Sequence, residues 1–316
     1  MTAHLVSYSG GKDSTALYLL AMELAERHGV AFQPVFADTG NEHDLTLDYV
    51  RDLPLRTGGP AIRWIKADFT LDFARKRRFV AEQWPLHGVP MVQVARALAM
   101  LQPTGVPFLD LCLLKGRFPS RRAQFCTEEL KTQPFVEQVV MPLLDDGRRV
   151  LSWQGVRASE SPNRARLPRF EHRGGGYWIW RPIHRWSVDD VFVLHRRHGI
   201  APNPLYTQGM RRVGCMPCIN CAKDELREIA RRFPWHIERI AQWEALVSAA
   251  SKRGASTFFH RQKSMPAEAS AGDIFAAANV REAVLWSMTS HGGRQFDLLR
   301  LRADTPACAS AYGLCE

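Results

Sequence analysis

A chain of 316 residues with 46% hydrophobic side chains is long enough to bury an ordinary core without covalent or metal staples. Its 42 Lys and Arg against 32 Asp and Glu give a formal charge of +10, which suits polyanionic partners such as nucleotides or nucleic acid without choosing between them. No run of about 18 apolar residues occurs, which argues against a helical membrane span. The first residues carry no basic, apolar and small-residue signal pattern, so a cytoplasmic protein is expected. In that compartment thiols stay reduced, and seven cysteines point to metal or redox chemistry rather than disulfides.

His4 to Tyr8 is a short apolar run ending in a Gly-rich turn, and Leu17, Leu20, Ala21 and Leu24 then recur at helical spacing. Ala31 to Ala37 reads as a second buried strand ending in Asp38-Thr39-Gly40, and Glu42 to Leu53 is polar with scattered apolar positions. A third strand is expected over Ala61 to Ala67 and a basic helix over Leu71 to Trp84. Five prolines between 85 and 120 predict an inserted, lid-like segment of short helices and loops. Regular structure resumes with a helix from about Thr127 to Val140, strands at Arg149 to Gln154 and Tyr177 to Trp180, and a helix from Ser187 to His198 capped by Ser187. Asp224 to Arg253 reads as helical with a break at Pro234, and the residues from Ser256 onward give the weakest signal. Strands alternating with helices predict an α/β fold, a doubly wound parallel sheet over residues 1–225, followed by a helical, cysteine-containing extension over 226–316.

The loop Ser9-Gly10-Gly11-Lys12-Asp13-Ser14 joins the first strand to the first helix. Two glycines let the backbone approach an anion, and the helix aims its N–H groups and positive dipole end at it. Lys12 adds a mobile charge, and Ser9 and Ser14 add hydroxyls. Four residues do not separate a glycine from Gly-Lys-Ser/Thr, so this is not the loop of kinases and GTPases.

These residues resemble the PP-loop of the ATP pyrophosphatases, in the branch that contains phosphoadenylyl-sulfate reductases, and among them the phage-borne and DNA-phosphorothioation-type members. Further segments resemble the same branch: Asp38-Thr39-Gly40 with Glu42, Gly155-Val156-Arg157 with Glu160-Ser161 and Arg164, Arg181-Pro182-Ile183 with Trp186, and Asn203-Pro204-Leu205-Tyr206. The resemblance implies that Asp38, Thr39, Gly40 and Glu42 lie near the adenosine, and that Gly155, Arg157 and Arg164 contact substrate. Lys12, Asp13 and Arg157 are the catalytic candidates. Cleavage between the α- and β-phosphates calls for cations around the departing pyrophosphate, met by Lys12, Arg157 and Arg164, and for Mg²⁺, with Asp13 orienting Lys12 or holding the metal. A surface salt bridge is the alternative for the two arginines, and a helix cap for Asp38. The repeated arginine clusters, such as Arg75-Lys76-Arg77-Arg78, read as solvated helix faces or as phosphate contacts.

Cys215-Met216-Pro217-Cys218-Ile219-Asn220-Cys221 sets three thiols around one compact turn, and Cys126 is the obvious fourth ligand. The pattern resembles the four-cysteine [4Fe-4S] sites of the branch, with Zn²⁺ or unligated thiols as alternatives. It lacks the paired cysteines of the assimilatory reductases. Neither Cys308 nor Cys315 reproduces their C-terminal Glu-Cys-Gly-type motif, and Cys112 reads as a buried core residue.

The activity expected is therefore binding of ATP, or of adenylyl sulfate or its 3′-phosphate, with cleavage to AMP and pyrophosphate. The cleavage would activate a substrate for sulfur transfer, with nucleic acid as an acceptor and a cysteine desulfurase as a donor partner. Reduction of a sulfonucleotide to sulfite is a second reading. A nucleotide-sensing or DNA-binding accessory without catalysis is a third.

Overall fold

The computed structural model describes residues 1–259 and 268–290. Six strands form one sheet in the order β3-β2-β1-β4-β6-β5. They are β1 (Thr2–Tyr8), β2 (Phe32–Asp38), β3 (Arg63–Lys66), β4 (Arg149–Trp153), β5 (Phe170–Gly174) and β6 (Tyr177–Trp180). β1 pairs in parallel with β2 on one side and with β4 on the other, His4 lying opposite both Phe32 and Leu151. Burial of Leu5, Val6 and Tyr8 on successive faces reflects cover on both sides, as a parallel sheet requires.

One strand departs from the expected all-parallel sheet: β5 runs antiparallel to β6 through the turn Gly174-Gly175-Gly176. Its sequence, Phe-Glu-His-Arg-Gly, has no apolar periodicity because none of its five residues is buried and neither face packs on the core; at this edge, charged side chains protect the unpaired backbone.

Helix α1 (Lys12–His28) follows β1, α2 (Asp44–Thr57) follows β2 and α3 (Thr70–Leu86) follows β3. The chain thus winds outward from β1 to β3 and returns to β4 on the other side of β1. That reversal opens a crevice beyond the carboxyl ends of β1 and β4, where open α/β sheets bind ligands.

The proline-rich segment forms α4 (Met91–Met100) and α5 (Pro107–Lys115). Val94, Ala97, Phe108 and Leu111 from these helices share one apolar cluster with Ile237, Ile240, Trp243 and Val247 of helix Pro234–Ala250. Cys112 is fully buried in that cluster. A continuous helical run leads from Phe125–Thr127 to Met141–Asp145 and contains two π-helical stretches, Glu128–Thr132 and Val136–Val140. Pro134 and Pro142 cannot donate to the preceding turn, which accounts for the widened hydrogen-bond pattern. Helix Val188–Arg197 is capped as its sequence predicts, Ser187 and Asp190 satisfying each other's backbone N–H. Among the described residues no helix is long and apolar enough to cross a membrane.

Candidate functional site

Contacts among its own residues shape the loop after β1 in part. Gly10 has φ of +73°, and a Cβ there would lie 2.9 Å from Thr46 Cγ2, so only glycine fits. Ser14 Oγ donates to the Gly11 carbonyl at 2.9 Å and accepts from Ser9 N at 3.2 Å. The Ser14 hydroxyl is therefore spent on the loop, while Ser9 keeps its place beside it at 3.1 Å.

Three side chains far along the chain brace the same loop. Asn203 Nδ2 donates to the Gly10 carbonyl at 3.2 Å, the Lys12 N–H donates to Tyr206 Oη at 3.0 Å, and His195 Nε2 meets the Lys12 carbonyl at 2.9 Å. Asn203 and Tyr206 belong to a motif noted in the sequence without a role. His195 carried no signal there, since its position on a helical face matches that of a core residue. Burial lowers the His195 pKa against the pull of its two carbonyl partners.

The charges cluster around Asp13. Lys12 Nζ lies 3.1 Å from Asp13 Oδ2, and Arg157 Nε donates to Asp13 Oδ1. Arg157 is 5% exposed, so the pair is buried rather than a surface salt bridge. Gly155 permits this approach, because a Cβ there would stand 3.2 Å from the Asp13 carbonyl oxygen. Arg164 instead pairs with Glu160, and its side chain is 36% exposed. Asp38 does not cap a helix: its Oδ1 accepts from the Gly40 N–H at 2.9 Å and shapes the turn after β2. Most arginine clusters are tied locally, as in Arg75–Asp72, Arg197–Glu23 and Arg232–Glu228.

That turn is zipped to the cysteine loop. Thr39 Oγ1 donates to Glu42 Oε1 at 2.7 Å and lies 3.4 Å from Cys215 Sγ. Glu42 and Cys215 form an antiparallel bridge, and the Met216 N–H donates to the Asn41 carbonyl at 2.7 Å. Lys131, in the first π-helical stretch, has Cys215, Glu42, Cys218 and Cys126 as its ionisable neighbours. Burial pulls its ammonium pKa down, but those four neighbours together raise it. Burial, reinforced by Glu42, pushes the Cys215 thiol up to about 12. Lys131, Cys215 and Cys218 line a cavity of about 90 Å³ together with Arg212 and Glu225.

Cys126, Cys215 and Cys218 therefore gather around one lysine, and Cys221 neighbours Cys218 from the edge of the core. The donor chemistry suits a thiolate-bound metal or cluster, since Cys side chains bind such groups once the metal displaces their protons. As placed, the thiols do not close into a ligand shell, and no group of three metal-ligating side chains converges among the described residues. Cys308 and Cys315 lie outside those residues.

A Gly-rich loop, a buried Lys–Asp–Arg cluster at the switch point and an adjoining cysteine loop define a phosphate-binding type of α/β domain. The model of the phosphoadenosine phosphosulfate reductase domain matches residues 3–221, and the chain belongs to that family. An uncharacterized 37.8 kDa protein in the gpa 5′ region of Escherichia phage 186 is 47% identical over all of this chain and 97% of its own length. The adenosine 5′-phosphosulfate reductase of Streptomyces coelicolor is 38% identical over 82 residues, 25% of this chain and 34% of that protein. Among solved structures, a phosphoadenylyl-sulfate reductase from Candida auris in a phosphate complex aligns with 67% of this chain and 80% of its own, at 15% identity and a TM-score of 0.38.

Proposed function

We propose that the chain is an enzyme that binds ATP or a related adenine nucleotide at Ser9 to Ser14 and splits it into AMP and pyrophosphate, so activating a substrate for sulfur transfer. The observation that carries this reading is the convergence of Lys12 and Arg157 on Asp13 beside the N-terminus of α1. In the mechanism, a substrate oxygen attacks the α-phosphorus, the bond to the bridging oxygen breaks, and pyrophosphate leaves with its electron pair. Lys12 and Arg157 stabilise the charge that develops on the leaving group. Asp13 holds both cations in place, and its two oxygens are already engaged by them, so Mg²⁺ would enter bound to the β- and γ-phosphates. The terminal sulfur of a donor persulfide, such as a cysteine desulfurase carries, then attacks the adenylated atom of the substrate, AMP leaves with the electron pair of the broken bond to oxygen, and a thiol reductant cleaves the resulting disulfide to release the thiolated substrate. The +10 charge favours a nucleic acid as the acceptor.

Cys126, Cys215, Cys218 and Cys221 are the residues that would hold a [4Fe-4S] cluster, with Zn²⁺ as the alternative. A cluster would supply electron-transfer capacity beside the nucleotide, and zinc would only brace the loop. Reduction of adenylyl sulfate or its 3′-phosphate to sulfite is the second reading, favoured by the local match to an adenosine 5′-phosphosulfate reductase.

The test is to incubate the protein with ATP and Mg²⁺, with and without nucleic acid, and to quantify AMP and pyrophosphate. A parallel incubation with adenylyl sulfate and a thiol reductant is assayed for sulfite. AMP formation abolished by Lys12→Ala supports the first reading, and sulfite supports the second. Nucleotide binding with neither product would leave the accessory role.

A further inference from the structure

The family domain ends at residue 221, yet a residue well beyond it completes the site. Arg239, on helix Pro234–Ala250, donates from Nη2 to Asn41 Oδ1 at 2.8 Å and to the Met216 carbonyl at 3.0 Å. Asn41 is fully buried and faces the cysteine loop twice more. Its carbonyl accepts from Met216 N at 2.7 Å, and its Nδ2 donates to the Pro217 carbonyl at 3.2 Å. One amide side chain and one guanidinium thus join three segments: the turn after β2, the cysteine loop and helix Pro234–Ala250.

The surroundings strengthen this node. The guanidinium lies over the Trp243 ring at 5.0 Å, one turn along its own helix, so its approach direction is set. His43, Phe233 and His236 wall the same region, their rings 4.4 to 4.9 Å from His43 and all three residues buried. A charged hydrogen bond shielded from water in this way contributes more than an exposed one. Without Arg239, the Met216 carbonyl and Asn41 Oδ1 would lose a charged donor where water has little access.

We infer that Arg239 is a positioning residue that sets the cysteine loop against the nucleotide-binding turn, making helix Pro234–Ala250 part of the active site. Nucleotide at the Ser9 to Ser14 loop then reaches the cysteine loop through the turn Asp38 to His43, because Asn41 and Glu42 are held to Met216 and Cys215. This coupling rests on the nucleotide reading above, whereas the clamp itself stands without it.

Hydrogen–deuterium exchange of the protein as purified separates the two. In the nucleotide-free protein, peptides covering 214–218 should exchange about tenfold faster in Arg239→Ala than in the wild type, while peptides from 243–250 are unchanged. Arg239→Lys keeps the charge but loses the fork, and should fall between. Unchanged exchange at 214–218 in Arg239→Ala overturns the clamp. So does faster exchange that is equally large in 243–250, which would mark a role only in helix stability; should Arg239→Ala not fold, Arg239→Lys decides by the same comparison. Adding ATP should slow exchange at both 9–14 and 214–218 in the wild type, and only at 9–14 in Arg239→Ala. If 9–14 does not respond in the wild type, the nucleotide reading fails and the clamp is still decided by the first comparison. If 9–14 responds and 214–218 does not, the coupling is wrong.

Discussion

Asp13 is held between two cations, and this arrangement decides what single substitutions should do. Lys12→Ala removes one charge from a loop whose backbone is braced by Asn203, Tyr206 and His195. The variant is expected to keep its melting temperature and lose nucleotide cleavage by at least about a hundredfold, the scale of losing a charge-stabilising group in a transition state. AMP release at the wild-type rate would remove the loop from the mechanism. Tyr206→Phe tests the brace itself. It leaves the Lys12 N–H without an acceptor in a buried setting and should cost about 1–3 kcal/mol in urea unfolding.

At the scale of elements, helix Pro234–Ala250 carries a second buried group with a measurable signature. Glu244 is 1% exposed and accepts from the N–H of Phe258 at 2.7 Å and of Val280 at 2.9 Å, tying down the start of helix Val280–Met288. Burial pushes its pKa from 4.5 up to about 7, against the pull of those two N–H groups. Between these values the native state keeps a proton that the unfolded chain has released. The stability from this group is complete below pH 4.5 and is lost as pH rises through about 7, on the order of 3 kcal/mol in all. Glu244→Gln should remove that slope, seen as a urea midpoint that changes less between pH 5 and pH 8 than in the wild type. The variant should also be less stable throughout, because an amide N–H₂ then faces a backbone N–H. A slope equal to the wild-type one would assign the pH dependence to other groups.

On the scale of the whole molecule, the cluster shared by α4, α5 and helix Pro234–Ala250 means that the family domain does not own its core. Truncation after Phe233 removes Ile237, Ile240, Trp243 and Val247 from that cluster. At about 1.5–3 kcal/mol for each large apolar side chain, the loss is comparable with the whole stability margin of a typical domain, about 5–15 kcal/mol. The truncated chain is expected to lose its cooperative thermal transition; a sharp melt near the wild-type temperature would show two separable units. Metal content is a second property of the whole protein. Anaerobic preparation should yield about four irons and matching sulfide per chain, falling in Cys126→Ser and Cys218→Ser. One zinc without sulfide would leave the thiols a structural role.

Local patterns carry strong local information, and the sequence determined the parts of this protein that depend on neighbours along the chain. A strand, two glycines, a lysine and the start of a helix are legible because the turn is shaped first by residues 9 to 14, with Asn203, Tyr206 and His195 bracing it from outside. The capping of helix Val188–Arg197 by Ser187 is legible for the same reason. Cys126 could be named as a candidate companion of the Cys215 loop from the need for a fourth donor and from resemblance to a family, not from spacing along the chain. The tertiary structure decided the rest. β5 has no apolar period because none of its residues is buried, and His195 looks like any buried helical residue until its carbonyl partners are seen. The joining of Asp13 to Arg157, of Asn41 to Met216 and of Arg239 to both has no counterpart in spacing or composition. Those contacts exist only where the winding of the sheet brings the ends of β1, β2 and β4 together and helix Pro234–Ala250 packs across them.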